Sequence, residues 1–138
     1  MATLFNLKEE TDQFYSFDVV AEDAAAEQNC KVVYPKPNQI QLDIDTDDQY
    51  ELFLRRFQDM YNRLNWDYEV EEKESKSGLP HRHITITITN GPLIDERDRL
   101  LLQTMLGSDQ VRESLNIFRY FCGIENPTRL FEPIEEEG

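Results

Sequence analysis

Four residues carry the chemistry this sequence can offer: Asp43, Asp45, His81 and His83. The two histidines are the only ones in the chain, and they stand two positions apart where HITITIT begins. The aspartates are also two apart, at the end of QIQLDID. Side chains on a strand alternate between its faces, so an extended segment puts Asp43 and Asp45 on one side. Carboxylates so placed suit a hard divalent cation such as Mg²⁺ or Mn²⁺, which prefers oxygen ligands. A histidine a few ångströms away would bind an incoming phosphate or take part in proton transfer. The plain alternatives are a solvated strand end ahead of a helix cap and a surface histidine bonded to a neighbouring Thr or Asp.

The elements that must position these groups follow from hydrophobic spacing. Ile84, Ile86 and Ile88 point one way and His83, Thr85, Thr87 and Thr89 the other, which predicts a strand with a buried face and an open polar face. Asn90-Gly91-Pro92 ends it. Ile40, Leu42 and Ile44 give the first strand its inner face, opposite Gln39, Gln41, Asp43 and Asp45. Thr46 then caps a helix whose first turn holds Asp47 and Asp48. Its apolar stripe runs from Tyr50 and Phe53 through Phe57 and Met60 to Leu64, and the helix ends near Asn65. Trp66, Tyr68 and Val70 alternate inward on the next strand. The Lys73–Arg82 loop, with Ser75-Lys76-Ser77-Gly78, delivers His81 and His83 to the isoleucine strand.

A second helix is predicted over Asp95–Leu106, with Leu101, Leu102, Met105 and Leu106 as its apolar side and Gly107 as its stop. Ser108 reads as the N-cap of a third, running through Val111, Leu115 and Phe118 to Gly123. Lys31–Tyr34 and Thr128–Glu132 read as short strands. The order after Pro37 is strand, helix, strand, strand, helix pair, strand. That is an α+β, ferredoxin-like or RNA-recognition-motif-like βαββαβ sandwich, an antiparallel sheet with helices on one face. In that topology the first and third strands are central antiparallel neighbours, and Asp43, Asp45 and His83 meet on the uncovered face.

The 138 residues divide into an extension at 1–37, the α+β domain at 38–134 and an acidic tail at 135–138. A net charge of -14 argues against general affinity for nucleic acid or anionic membranes, which leans on Lys and Arg. Cys30 and Cys122 lack metal-ligand spacing, and Cys122, among Ile117, Phe118 and Phe121, reads as a buried thiol. A reduced, cytoplasmic setting is expected. No run resembles a signal peptide or reaches the roughly 18 apolar residues of a spanning helix.

Leu42-Asp43-Ile44-Asp45 resembles the hDhD motif (h, hydrophobic) of archaeo-eukaryotic primases and primase-polymerases. Ser77-Gly78-Leu79-Pro80-His81-Arg82-His83 is similar to their second motif, a Ser-Gly turn followed by a histidine that opens a strand. LLQTMLGSDQVRE also has the look of small phage-type primase-like proteins. The resemblance covers roughly residues 38–134 and implies metal-dependent nucleotidyl transfer in DNA replication. It makes Asp43 and Asp45 the Mg²⁺ or Mn²⁺ ligands. Nucleotide contacts fall to Ser77, Gly78, His81, Arg82 and His83, with His83 preferred over His81 because it shares a face with Thr85 and Thr87. The third acid of that family would lie near the start of the last strand, where only Glu125 stands, with Glu132 at its far end. Implied partners are a nucleotide, nucleic acid and another protein, in the host cytoplasm if the chain is phage-encoded. The alternatives are a catalytically inactive adaptor on the same fold, or an acidic inhibitor that imitates nucleic-acid charge and binds a protein.

Overall fold

The computed structural model describes residues 25–27, 29–75 and 77–134. Expectations for the extension before Ala25, for Lys76 and for the tail at 135–138 lie outside the described residues. The elements are β1 (Cys30–Val33), β2 (Gln39–Ile44), α1 (Asp47–Arg63), β3 (Asp67–Glu74), β4 (Arg82–Asn90), α2 (Glu96–Met105), α3 (Gln110–Phe121) and β5 (Leu130–Pro133). From β2 onward this is the βαββαβ order of an α+β fold. It forms two antiparallel sheets, β2-β4-β3 and a β1-β5 ribbon. Among the described residues no helix is long and apolar enough to cross a membrane.

The core sits where the alternation puts it. Ile40, Leu42 and Ile44 of β2 and Ile84, Ile86 and Ile88 of β4 pack against Phe53 and Met60 of α1, with Ile94 and Leu106 closing the flank beside α2. α1 starts where expected, because Thr46 Oγ1 accepts from Gln49 N and Asp47 and Asp48 fill the first turn. Trp66 and Tyr68 lean on this core, whereas Val70, on the β3 edge, is exposed. Gly91 follows β4 beneath the Trp66 ring. A Cβ there would stand 2.8 Å from Ile88 Cγ2 and 2.9 Å from Trp66 Cγ. Gly91→Ala should therefore lower stability by about 1–3 kcal/mol through overpacking, read as a lower urea midpoint. An unchanged midpoint would show that the indole gives way freely.

Several expectations are corrected at the outer side of β2. β4, not β2, is the central strand, and β5 pairs with β1 instead of joining the sheet. The edge of β2 is covered by α2, α3 and the turn between them, group by group. Gln39 O accepts from Arg99 Nε at 2.8 Å, Gln41 N donates to Gln103 Oε1 at 3.0 Å, and Gln41 O accepts from Arg112 at 2.6 Å. Asp43 N donates to Ser108 Oγ at 2.9 Å, and Asp43 O accepts from Asp109 N at 2.7 Å. Backbone groups left bare on an edge are costly when buried and adhesive when exposed. Polar side chains stand here in place of a fourth strand.

That arrangement turns the last two helices. α2 buries Arg99, Leu100 and Gln103 while Leu101 and Met105 are exposed, and α3 buries Glu113 and Asn116. Its expected inner face points out instead, with Val111 71% and Phe118 38% exposed. Cys122 is only half-buried, beside an exposed Phe121. The N-cap of α3 is Asp109, which accepts from Arg112 N. Ser108 spends its hydroxyl on β2 instead.

Candidate functional site

The antiparallel ladder between β2 and β4 makes Asp43 and His83 direct Cα partners. His83 Nε2 comes within 3.8 Å of Asp43 Oδ1. One residue beyond the start of β4, His81 Nδ1 lies 3.0 Å from Asp45 Oδ1. Each histidine thus has its own aspartate, and His81 lines the same cleft as His83. The loop is shaped by backbone bonds from Gly78 N to Ser75 O, His81 N to Gly78 O and Ser75 N to His81 O. Gly78 turns it at φ 77, a left-handed conformation that side chains resist. Ser75 and Ser77 consequently face the same cleft, of about 210 Å³, as the two aspartates and both histidines.

Arg82 is not brought into the cleft. It lies on the opposite face of β4, with its guanidinium 3.8 Å over the Tyr50 ring and 3.7 Å from Asp47. Nor do Glu125 or Glu132 supply the third acid: Glu125 is exposed beyond α3, and Glu132 pairs with Lys73 at 3.6 Å. A different acid comes close instead: one carboxylate oxygen each from Asp43, Asp45 and Asp109 lie within 4.8 Å of one another. Asp109 reaches this point because its residue caps α3 while its backbone N–H binds Asp43 O. The signal in the sequence was a pair of cap-type residues, Ser108-Asp109, where one helix start uses a single cap.

The polar face of the sheet is not open. The β1-β5 ribbon lies over it, with Gln41 Nε2 donating to Val33 O at 3.3 Å and Cys30 and Phe131 forming one wall of the cleft. Burial under that wall sets the electrostatics. Asp43 is pushed up to about 6, first by burial and then by the charge of Asp45, with Asp109 and Glu113 adding and Arg112 opposing. His83, 8% exposed, is shifted down by burial, which favours neutral imidazole. Its Nδ1 is buried with no hydrogen-bond partner among the described residues.

These groups fit a cation of the Mg²⁺ or Mn²⁺ class. The donors are three carboxylates, the hard oxygen ligands such an ion prefers. Around such an octahedral ion, with bonds of roughly 2.1 Å, opposed oxygens stand about 4.2 Å apart and adjacent ones about 3.0 Å, so the three side chains would draw together on binding it. Asp109 keeps its bond from Arg112 N at 3.1 Å and lies 3.5 Å from Gln49 Nε2, which orient it. The fold and site thus define an α+β protein with a carboxylate–histidine cleft at a sheet edge. Compared with protein-family models, with curated proteins and with solved structures, the chain matches none.

Proposed function

We propose that this chain is a primase-like protein that binds a nucleotide through a divalent cation held by Asp43, Asp45 and Asp109. The observation that carries the reading is convergence: Asp43, Asp45, both histidines, Ser75 and Ser77 line one cleft, and Asp109, from a third stretch of chain, brings a carboxylate oxygen within 4.8 Å of those of Asp43 and Asp45. In this reading a bound Mg²⁺ or Mn²⁺ would neutralise phosphate charge and, in a full nucleotidyl transfer, polarise the reacting phosphoryl oxygen. His81, oriented by Asp45, presents its Nε2 to a phosphate. His83 accepts or donates a hydrogen bond from an imidazole that burial keeps neutral. The hydroxyls of Ser75 and Ser77 complete the polar wall. The reading carries with it a cytoplasmic setting, a host's if the chain is phage-encoded.

Calorimetric titration with Mn²⁺ and a nucleoside triphosphate tests this. The wild type should bind the pair together, Asp43→Ala should abolish binding, and Asp109→Asn should weaken it at least tenfold. Nucleotide binding that survives both substitutions, or needs no metal, would sink the proposal.

One feature favours a second reading. β3 is an exposed edge strand bearing Glu69, Glu71, Glu72 and Glu74, a row of charge that an adaptor or nucleic-acid-mimicking inhibitor would use. That reading predicts binding to a cationic nucleic-acid-handling protein that survives Asp43→Ala and weakens steeply with salt.

A further inference from the structure

The cleft has one wall that the three-stranded sheet does not supply. The ribbon contributes Cys30 and Phe131, and every other described lining residue presents a carboxylate, an imidazole or a hydroxyl. Phe131 is therefore the one carbocyclic ring among groups suited to metal and phosphate. It is half-buried, so part of an apolar face is left in water beside a cluster of charge. A ring so placed offers an apolar surface to a ligand that enters the cleft.

Its position is fixed from several directions. Phe131 is the Cα partner of Val32 in the β1-β5 ladder, and the preceding Leu130 is buried. The following Glu132 is tied across to Lys73 of β3 at 3.6 Å. With both neighbours held, the ring cannot turn into the core without breaking the ladder or the ion pair. β5 can present it only because it pairs with β1 over the polar face, the edge of β2 being already occupied by α2 and α3 side chains.

We infer that Phe131 is the platform on which the base of a bound nucleotide stacks, with the ribbon serving as the base-recognising wall of the cleft. This rests on the metal–phosphate reading of the same cleft and adds what distinguishes a nucleotide from a bare polyphosphate. A phosphate chain meets the cation on Asp43, Asp45 and Asp109 together with His81 and the serine turn, and the base lies against the ring across the cleft. Stacking uses the π-face that every base possesses, so the substrate class is nucleoside triphosphates with little discrimination among bases. Purines gain from their larger overlap.

The experiment is a titration in the presence of Mn²⁺ with two probes, ATP and inorganic tripolyphosphate, on the wild type, Phe131→Leu and Phe131→Trp. Leucine keeps an apolar side chain at the wall and removes the π-face. The wild type should bind ATP about 5- to 100-fold more tightly than tripolyphosphate, the range expected for one stacked base. Phe131→Leu should erase that ratio while leaving Mn²⁺–tripolyphosphate affinity unchanged. Phe131→Trp should restore it, with indole fluorescence quenched by ATP and not by tripolyphosphate. If Phe131→Leu loses the far-ultraviolet dichroism of a folded chain, the quenching of Phe131→Trp decides alone. Tripolyphosphate binding as tightly as ATP in the wild type, or an unchanged ratio in Phe131→Leu, overturns the platform and leaves the metal–phosphate site standing. Absence of Mn²⁺-dependent binding for both probes overturns the two together.

Discussion

Asp43→Asn should make the metal-free protein more stable at pH 7 while erasing its response to Mn²⁺. The folded chain holds the Asp43 carboxyl at about 6 against an ordinary 3.8. Between those values the folded state binds more protons than the unfolded one, so stability falls as pH rises. The loss begins near pH 4 and is complete above pH 6. At about 1.4 kcal/mol for each pH unit of difference, the charged carboxylate costs the fold on the order of 3 kcal/mol at neutrality. Asparagine keeps the shape, removes the charge and sacrifices no short hydrogen bond, since the nearest imidazole nitrogen is 3.8 Å away. Thermal melts of both proteins from pH 4 to 8 measure the effect: the curves should converge at the acid end and separate by several degrees above pH 6. Saturating Mn²⁺ should raise the midpoint of the wild type at pH 7 and leave Asp43→Asn unmoved. A variant less stable than wild type at pH 7, or a gap that does not change with pH, would refute the electrostatic account.

What the sequence discloses and what it conceals divide along a physical line. The isoleucine faces of β2 and β4, the Thr46 cap and the stripe of α1 were legible because each depends on spacing within one element. So was the meeting of Asp43 with His83, since period-2 alternation and antiparallel pairing follow from the same pattern. α3 was not legible. Its periodicity shows an amphipathic helix, but periodicity cannot say what the helix meets. Over a sheet face it would bury Val111 and Phe118; against a strand edge of bare N–H and C=O groups it buries Glu113 and Asn116. Asp109 was missed for the same reason, because its closeness to Asp43 comes from that edge contact. The strands at 30–33 and 130–133 were read within two residues. Their pairing over the polar face, which buries His83 and places Phe131, is a nonlocal choice that no local pattern encodes.

The largest loss of stability is expected at Arg112, which sits where that edge contact is made. Its guanidinium donates to Gln41 O of β2 at 2.6 Å, to Glu113 Oε1 at 2.5 Å and to Arg129 O ahead of β5 at 3.2 Å. It therefore joins the sheet, α3 and the ribbon's second strand through one buried cation. Its side chain is 11% exposed and that of Glu113 only 2%. Arg112→Met fills similar volume but leaves the Glu113 carboxylate buried without its counter-charge, with only Gln103 Nε2 at 3.1 Å still donating to it. Removing one partner of a buried pair costs about 3–5 kcal/mol, a large share of the roughly 5–15 kcal/mol that holds an ordinary domain together. The single variant should unfold at a much lower urea concentration. It should also lose Mn²⁺ affinity, because Asp109 depends on the seating of the α3 N-terminus. Adding Glu113→Gln removes the stranded charge and should return about half of the lost stability, without restoring the tie to β2. A single variant within 1 kcal/mol of wild type, or a double variant no better than the single, would mean that water and local rearrangement carry this junction. The carboxylate triad would then owe its geometry to something other than the Arg112 clamp.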